Sequence, residues 1–387
     1  MKISLPDDQG RRFDYTLTGS QCPVRPLGAD AVRTVFAAAH VVADPYSSDP
    51  CSFDSGGRAA IDWDATLAFR RYLADLGLGI AEAMDTAQRG MGLDWPSSLE
   101  LITRTRAELP DAHVFNGCGT DHVLPSETDC IDDVLRAYME QLEAIQAVGG
   151  RLILMASRAL ARVAASPLDY LAVYLRVLDA ADEPVILHWL GPMFDPALAG
   201  YWGSDDFTQA METVLAIIHE RESKIDGIKL SLLDKNREIL FRRRLPRSVK
   251  MYTGDDFDYP ELIAGDAQGF SHALLGIFDP LAPVVGAAVD HLGTGDVRGF
   301  RALLDPTVPL ARLVFQAPTR HYKTGVVFLA WLNGHQDHFI MLGGAQSMRS
   351  LSHLVACFRL ADTAGLLVDP ECAVTRMHHL LGLHGVA

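Results

Sequence analysis

Short apolar runs alternate with helical patterns along most of the chain, and this alternation constrains the fold more than any other feature. The runs occupy residues 35–43, 78–84, 112–117, 151–157, 184–190, 225–231, 249–255 and 267–273. Helical patterns follow them, for example over 61–76, 95–109, 131–148, 168–181, 206–220 and 236–243. Strands joined through helical crossovers run parallel. The runs are almost continuously apolar, as expected of strands covered on both faces. Eight such units predict a (β/α)8 TIM barrel. An open doubly wound sheet would carry a glycine-rich phosphate loop after its first strand, and AAHVVADPYSSDP has none. Pro96 and Pro167 stand where a first helical turn accepts proline.

Three regions follow from this pattern. Residues 1–30 read as a polar β-hairpin, KISLP and RRFDYTLT around DDQG, with a Pro/Gly linker behind it. Residues 31–293 read as the barrel, and 294–387 as a C-terminal helical extension. No strand pattern returns beyond Asp279; helical segments are expected at 282–292, 296–304, 307–317, 324–333, 347–364 and 370–382.

Composition narrows the function. A net charge of −15 repels phosphate backbones and anionic lipid surfaces, so nucleic acid and membranes are not expected as partners. Six scattered cysteines without a CxxC pair form neither a disulfide scaffold nor a thiolate zinc site. The segment MKISLPDDQGRRF lacks an apolar signal core, and no run of about 18 apolar residues occurs. The expectation is a reduced, cytoplasmic protein acting on a small molecule.

Barrel chemistry sits at the C-terminal ends of the strands. The polar residues expected there are His40, Glu82, Asp85, Thr86, Asn116, Ser157, Arg158, His188, Lys229, Ser231, Thr253, Asp255, Asp256, Ser271 and His272. Lys229 is the sharpest signal. The chain has six lysines against 28 arginines, and this one ends an apolar strand after Asp-Gly-Ile. An inward lysine there loses hydration, which lowers its pKa and frees an amine able to attack a carbonyl. The plainer alternative pairs it with Asp226, Glu82 or Asp255.

At these residues the sequence resembles a known superfamily, that of dihydrodipicolinate synthase and N-acetylneuraminate lyase, as a divergent, little-characterised branch. IDGIKLS resembles the strand that carries its Schiff-base lysine. AAHVVADP with IDWDATLAFRRYLADLG resembles its first strand and helix, and EAMDTAQRG stands at its Gly-Thr-Thr-Gly-Glu loop. FNGCGT resembles its third-strand turn, VILHW its fifth strand, and DHLGTGDVRGFRALLDPTVPL through HYKTGVVFLAWLNG its C-terminal helices. The likeness spans residues 30–365. It implies a homo-oligomeric, class I aldolase-like lyase that cleaves a carbon–carbon or carbon–oxygen bond through a Schiff base on Lys229, with no cofactor.

The departures bear on substrate. Asp85 replaces the first loop threonine, which helps hold a keto-acid carboxylate, while the second survives as Thr86. A carboxylate at Asp85 repels a substrate carboxylate, whereas a polyol or keto sugar can donate hydroxyls to it. The family's proton-relaying tyrosine on strand four is absent, and Ser157 and Arg158 stand there instead. The expected substrate is therefore a hydroxylated carbonyl compound, a keto acid or keto sugar, which points to carbohydrate metabolism. His188, on the strand beside Lys229, is the expected acid/base because imidazole titrates near neutrality. Asp85, Thr86, Asn116, Arg158, Asp255 and His272 are the expected substrate-binding residues. Asn116 could equally cap its own turn, and Arg89 and Arg158 could pair with nearby aspartates.

Two other function classes compete. His40, Glu82, His188, Asp255 and His272, with Asp85 beside them, are ligand types for zinc or manganese, which would serve a metal-dependent lyase, hydrolase or isomerase. No compact ligand motif such as HExxH accompanies them. The third class is a non-catalytic barrel that binds a metabolite. Phe194, Tyr201 and Trp202 in the long segment 190–206 are candidates for a lid or a subunit contact. The near-miss GFSHA is not expected to form a nucleophile elbow, and Arg242–Arg244 with Arg247 read as a solvated face.

Overall fold

The computed structural model describes residues 1–47 and 57–386; Cys51 and part of the segment after the first barrel strand lie outside them. An antiparallel hairpin, β1 (Lys2–Pro6) and β2 (Arg12–Thr16), precedes a closed parallel barrel. Its strands are β3 (Val35–Ala38), β4 (Gly79–Glu82), β5 (Val114–Cys118), β6 (Arg151–Leu154), β7 (Val185–Leu190), β8 (Ile225–Ser231), β9 (Lys250–Thr253) and β10 (His272–Leu275). β10 closes the ring on β3, with Ala273 opposite Val35. The predicted TIM barrel with an N-terminal hairpin and C-terminal helices is the observed architecture.

Local chemistry explains the helix starts. Asp62 accepts from the Ala65 amide at 3.0 Å and Asp94 from that of Ser97 at 2.8 Å, each satisfying an amide the helix leaves unpaired. Ser166 and Asp169 form a reciprocal box ahead of the helix Pro167–Ala180, which begins on its proline.

Strand periodicity decides which side chains meet inside the ring. Phe36, Ala38, Ala81, Phe115, Ile153, Ile186, Tyr252 and Leu274 fill it, while their chain neighbours pack outward on the helices. The eighth strand departs from expectation. Residues 266–269 form a turn, with Asp266 bridged to Gly269, so the strand is HALL rather than a run ending at 273. His272 therefore opens its strand and stands at the opposite end of the barrel from the expected site.

The last barrel helix, Phe278–Gly293, leads into the helices Val297–Leu304, Val308–Val314, Tyr322–Leu332, Leu351–Thr363 and Pro370–Leu383. These enclose a large apolar cluster against β3, β4 and β10. The hairpin docks on this extension: the Tyr15 hydroxyl donates to Asp362 at 2.7 Å and the Thr18 amide at 2.9 Å. Among the described residues, no helix is long and apolar enough to cross a membrane.

Candidate active site

Inward parity on β8 selects Gly227, Lys229 and Ser231. His188 on β7 lies opposite Lys229 in register, and its Nε2 is 3.2 Å from the Ser231 hydroxyl. Gly254 follows β9; a Cβ there would stand 3.0 Å from Lys229 Cε and strike the Ser231 hydroxyl. Glycine at this position leaves the lysine stem room to lie in the barrel.

Lys229 is 7% exposed and has no carboxylate within ion-pair distance among the described residues. Burial lowers its pKa, opposed by the charges of Asp85 and Asp256. Asp256, also buried, is raised by the same desolvation, with its Oδ1 accepting from the Ile277 amide at 2.9 Å. Burial thus disfavours the charged form of both groups, while their mutual attraction opposes it. The alternative partners named for Lys229 are engaged elsewhere. Asp226 accepts from Lys250 at 2.9 Å and Tyr252 at 2.7 Å, and Glu82 binds Arg70.

His188 departs from the sequence expectation in its titration. Burial first, and then the charge of Lys229, hold it well below the ordinary imidazole value. It is therefore a neutral ring at neutral pH, able to accept a proton but not poised as an acid.

Asp85 and Thr86 sit on a short turn after β4, behind Ala83, whose φ of 51° is strained for a non-glycine residue. The Thr86 hydroxyl lies 2.8 Å from the phenol of Tyr322, which arrives from the C-terminal extension. Gly276 admits that ring: a Cβ there would meet Tyr322 at 3.2 Å and Thr86 Oγ1 at 3.4 Å. Burial, then the Asp85 charge, push the phenol well above its ordinary pKa, so it stays protonated.

Two adjoining hollows open above these groups. One, of about 130 Å³, is lined by Asp85, His188, Met155 and Thr120, among others. The second, of about 220 Å³, is lined by Phe194, Arg320, His321 and Lys323 and shares Asp85, Arg158 and Asp195 with the first. Lys229 does not itself line either hollow; the lining residues that interact with it are Asp85 and His188.

Several expected site residues lie elsewhere. His40 bonds Asp279 at 2.8 Å and packs on Phe69, between barrel and helices. Glu82 points outward by strand parity and accepts from Arg70 at 2.8 and 3.0 Å and from Thr105 at 2.7 Å. Asn116 also faces outward and donates to the Arg151 carbonyl at 2.9 Å. Asp255 caps its own loop, accepting from the Phe257 and Asp258 amides at 2.8 and 3.1 Å. His272, at the opposite end, accepts from the Thr34 amide at 2.9 Å. The proposed metal set is thereby dispersed, and no cluster of three or more His, Cys, Asp or Glu able to hold a metal ion occurs among the described residues.

The arginines are mostly committed. Arg89 binds Asp121 at 2.8 Å, and Arg158, half exposed over the hollow, binds Asp195 at 2.5 Å. Arg242 and Arg243 pair with Asp266, and Arg244 with Glu212. Of the candidate lid, Phe194 lines the second hollow, but Tyr201 and Trp202 are core residues packed on Tyr170 and Tyr174. Ser271 donates to buried Glu238 at 2.7 Å, so GFSHA is no nucleophile elbow.

Two residues of the site are absent from the sequence expectation, and a third, Asp256, is among the strand-end candidates without a role. Parity supplies that role, since Tyr252, Gly254 and Asp256 share the inward face. Lys323 carried a signal, as a rare lysine entering an apolar helix. Tyr322 carried none.

The chain belongs to the family described as "Protein of unknown function (DUF993)", whose model matches residues 3–386. No curated protein sequence matches it. Its fold is similar to those of dihydrodipicolinate synthases in solved structures. The Thermotoga maritima enzyme is 13% identical at a TM-score of 0.64, covering 87% of this chain and 99% of its own. That of Aquifex aeolicus is 14% identical at 0.64, with the same coverage. The chloride-inhibited Acinetobacter baumannii enzyme, in complex with pyruvate, is 15% identical at 0.63, again covering 87% and 99%. The resemblance noted in the sequence thus holds at the level of the fold.

Proposed function

We propose that this DUF993 protein is a lyase of the Schiff-base aldolase or hydro-lyase type, acting on a hydroxylated carbonyl compound. The observation that carries the reading is Lys229: a desolvated amine inside the barrel, with no ion-pair partner among the described residues, beside His188 and Asp256. Its support includes the fold shared with dihydrodipicolinate synthases, one of them solved with pyruvate.

The neutral Nζ attacks the substrate carbonyl carbon, forming a C–N bond while the oxygen takes a proton. That oxygen leaves as water, giving the imine. In the aldolase branch the β-hydroxyl yields its proton to a base as the carbon–carbon bond breaks, releasing an aldehyde and leaving an enamine, which takes a proton at carbon to become the imine of the smaller product. In the hydro-lyase branch the α-proton is removed and the β-hydroxyl leaves as water. Water then hydrolyses the imine and frees Lys229. Asp256 acts on the Lys229 amine through its charge, neutral His188 accepts protons, and Tyr322 with Thr86 relays them at the carbonyl end. Asp85 accepts substrate hydroxyls.

Borohydride trapping tests this reading. The protein is incubated with pyruvate and with a panel of keto acids and keto sugars, reduced, and mapped by peptide mass. A reduced adduct on Lys229, lost in Lys229→Ala, is the expected result. No adduct with any carbonyl compound, or one confined to another lysine, overturns it.

A further inference from the structure

The second hollow holds a cation that the reaction scheme leaves unused. Lys323 is 4% exposed and lines this hollow. Its Nζ hydrogen-bonds, among the described residues, only the Met91 sulfur at 3.4 Å and the Arg320 carbonyl at 3.3 Å, with the Tyr322 ring centre at 4.7 Å. Among the described residues no carboxylate stands within ion-pair distance of it. A buried ammonium without an anion is costly, and folded proteins neutralise such a group or pair it.

The surroundings are cationic as well. Exposed Arg320 lines the same hollow, its side chain near His321 at 3.4 Å and without an ion pair among the described residues. Arg158 also lines the hollow, but Asp195 already meets its charge. Asp85 stands on the wall shared with the other hollow and interacts with both Lys229 and Lys323. Burial lowers Lys323 to about 8, so it is still largely protonated at neutral pH.

We infer that Lys323 and Arg320 form an anion subsite, and that the substrate carries a phosphate or carboxylate on the end away from its reacting carbonyl. Asp85, between the two lysines, accepts the hydroxyls in between. This inference rests on the proposed function for its orientation, since the carbonyl end is taken to lie at Lys229. The anion subsite itself is measurable without any imine. Lysine supplies a point charge and arginine a planar fork, a combination suited to either oxyanion.

The experiment is calorimetric titration of the full chain with inorganic phosphate and, separately, acetate, at pH 7 and low ionic strength. Wild type is expected to bind at least one of them in the millimolar range. Lys323→Met weakens that binding at least tenfold and Arg320→Gln at least threefold, while Lys323→Arg and Lys229→Ala retain it. Preference for phosphate identifies a phosphate ester as the substrate's tail, and preference for acetate a carboxylate. Arg320→Gln, at an exposed position, carries the test if Lys323→Met does not fold. Absence of binding to wild type, or equal binding by wild type and these two variants, overturns the inference. Failure of the Schiff-base reading shows separately, as no trapped adduct on Lys229 while anion binding persists.

Discussion

The hydroxyl of Thr86, on the turn after β4, and the phenol of Tyr322, on a C-terminal helix, lie 2.8 Å apart across 236 residues of sequence. The contact brings a tyrosine to the barrel mouth from outside the barrel, where the strand-four position offers only Ser157 and Arg158. Tyr322 is fixed by stacking on Phe315, ring centres 4.3 Å apart.

If this phenol relays protons at the carbonyl, Tyr322→Phe slows imine formation on Lys229 by about 10²- to 10⁴-fold, the usual contribution of a positioned acid or base. Loss of one buried hydrogen bond costs about 1 kcal/mol, so the fold survives. The rate of borohydride-trapped adduct formation reads this directly. An unchanged rate would make Tyr322 a packing residue.

Glu82 belongs to a different role from the one its strand-end position suggests. It joins Arg70 in a fully buried, bidentate pair that ties β4 to the helix Trp63–Asp75. Glu82→Gln leaves the guanidinium uncompensated and is expected to cost about 3–5 kcal/mol. Urea unfolding should show that loss, with trapping on Lys229 retained in the folded fraction. A cost below about 1 kcal/mol would contradict the structural role.

Buried neutral histidines contribute a loss of stability in acid, opposed over the same range by the buried carboxyls of Asp255, Asp256 and Glu238, which burial raises. His272, His335 and His353 are each pushed down to about 4, mainly by burial, with Lys250, His40 and Arg349 respectively adding repulsion; Asp226 and Asp279 oppose the shift at His272 and His335. In the unfolded chain each titrates near 6.5, so between 6.5 and 4 the unfolded state binds more protons. Stability is then lost as pH falls through that window, on the order of 1 kcal/mol per histidine at pH 5. Urea midpoints of wild type and His272→Asn at pH 7 and pH 5 isolate one histidine's share: the variant should gain on wild type as pH falls. A wild-type-to-variant difference that does not change with pH would refute it.

The barrel was legible in the sequence because its signals are local. Continuous apolar runs, helical patterns and first-turn prolines each act over a few residues, and eight repeats of one unit leave little choice of topology. Lys229 was legible for the same reason, as a charge within an apolar strand. The site around it was legible only in part. Glu82 and Asn116 stand at strand ends beside residues that face inward, and one step of strand period turns them into the helix layer. His272 was misplaced by a turn at 266–269 that the apolar run concealed. Asp256 answers to the same parity that removes Asp255. The arrival of Tyr322 and Lys323 at the mouth was decided by tertiary structure alone. Their helix is apolar nearly all round, so its sequence demands burial without specifying which face meets which neighbour. That choice is made by packing against Gly276, just after β10, and the β4 turn, whose shape exists only once the ring has closed.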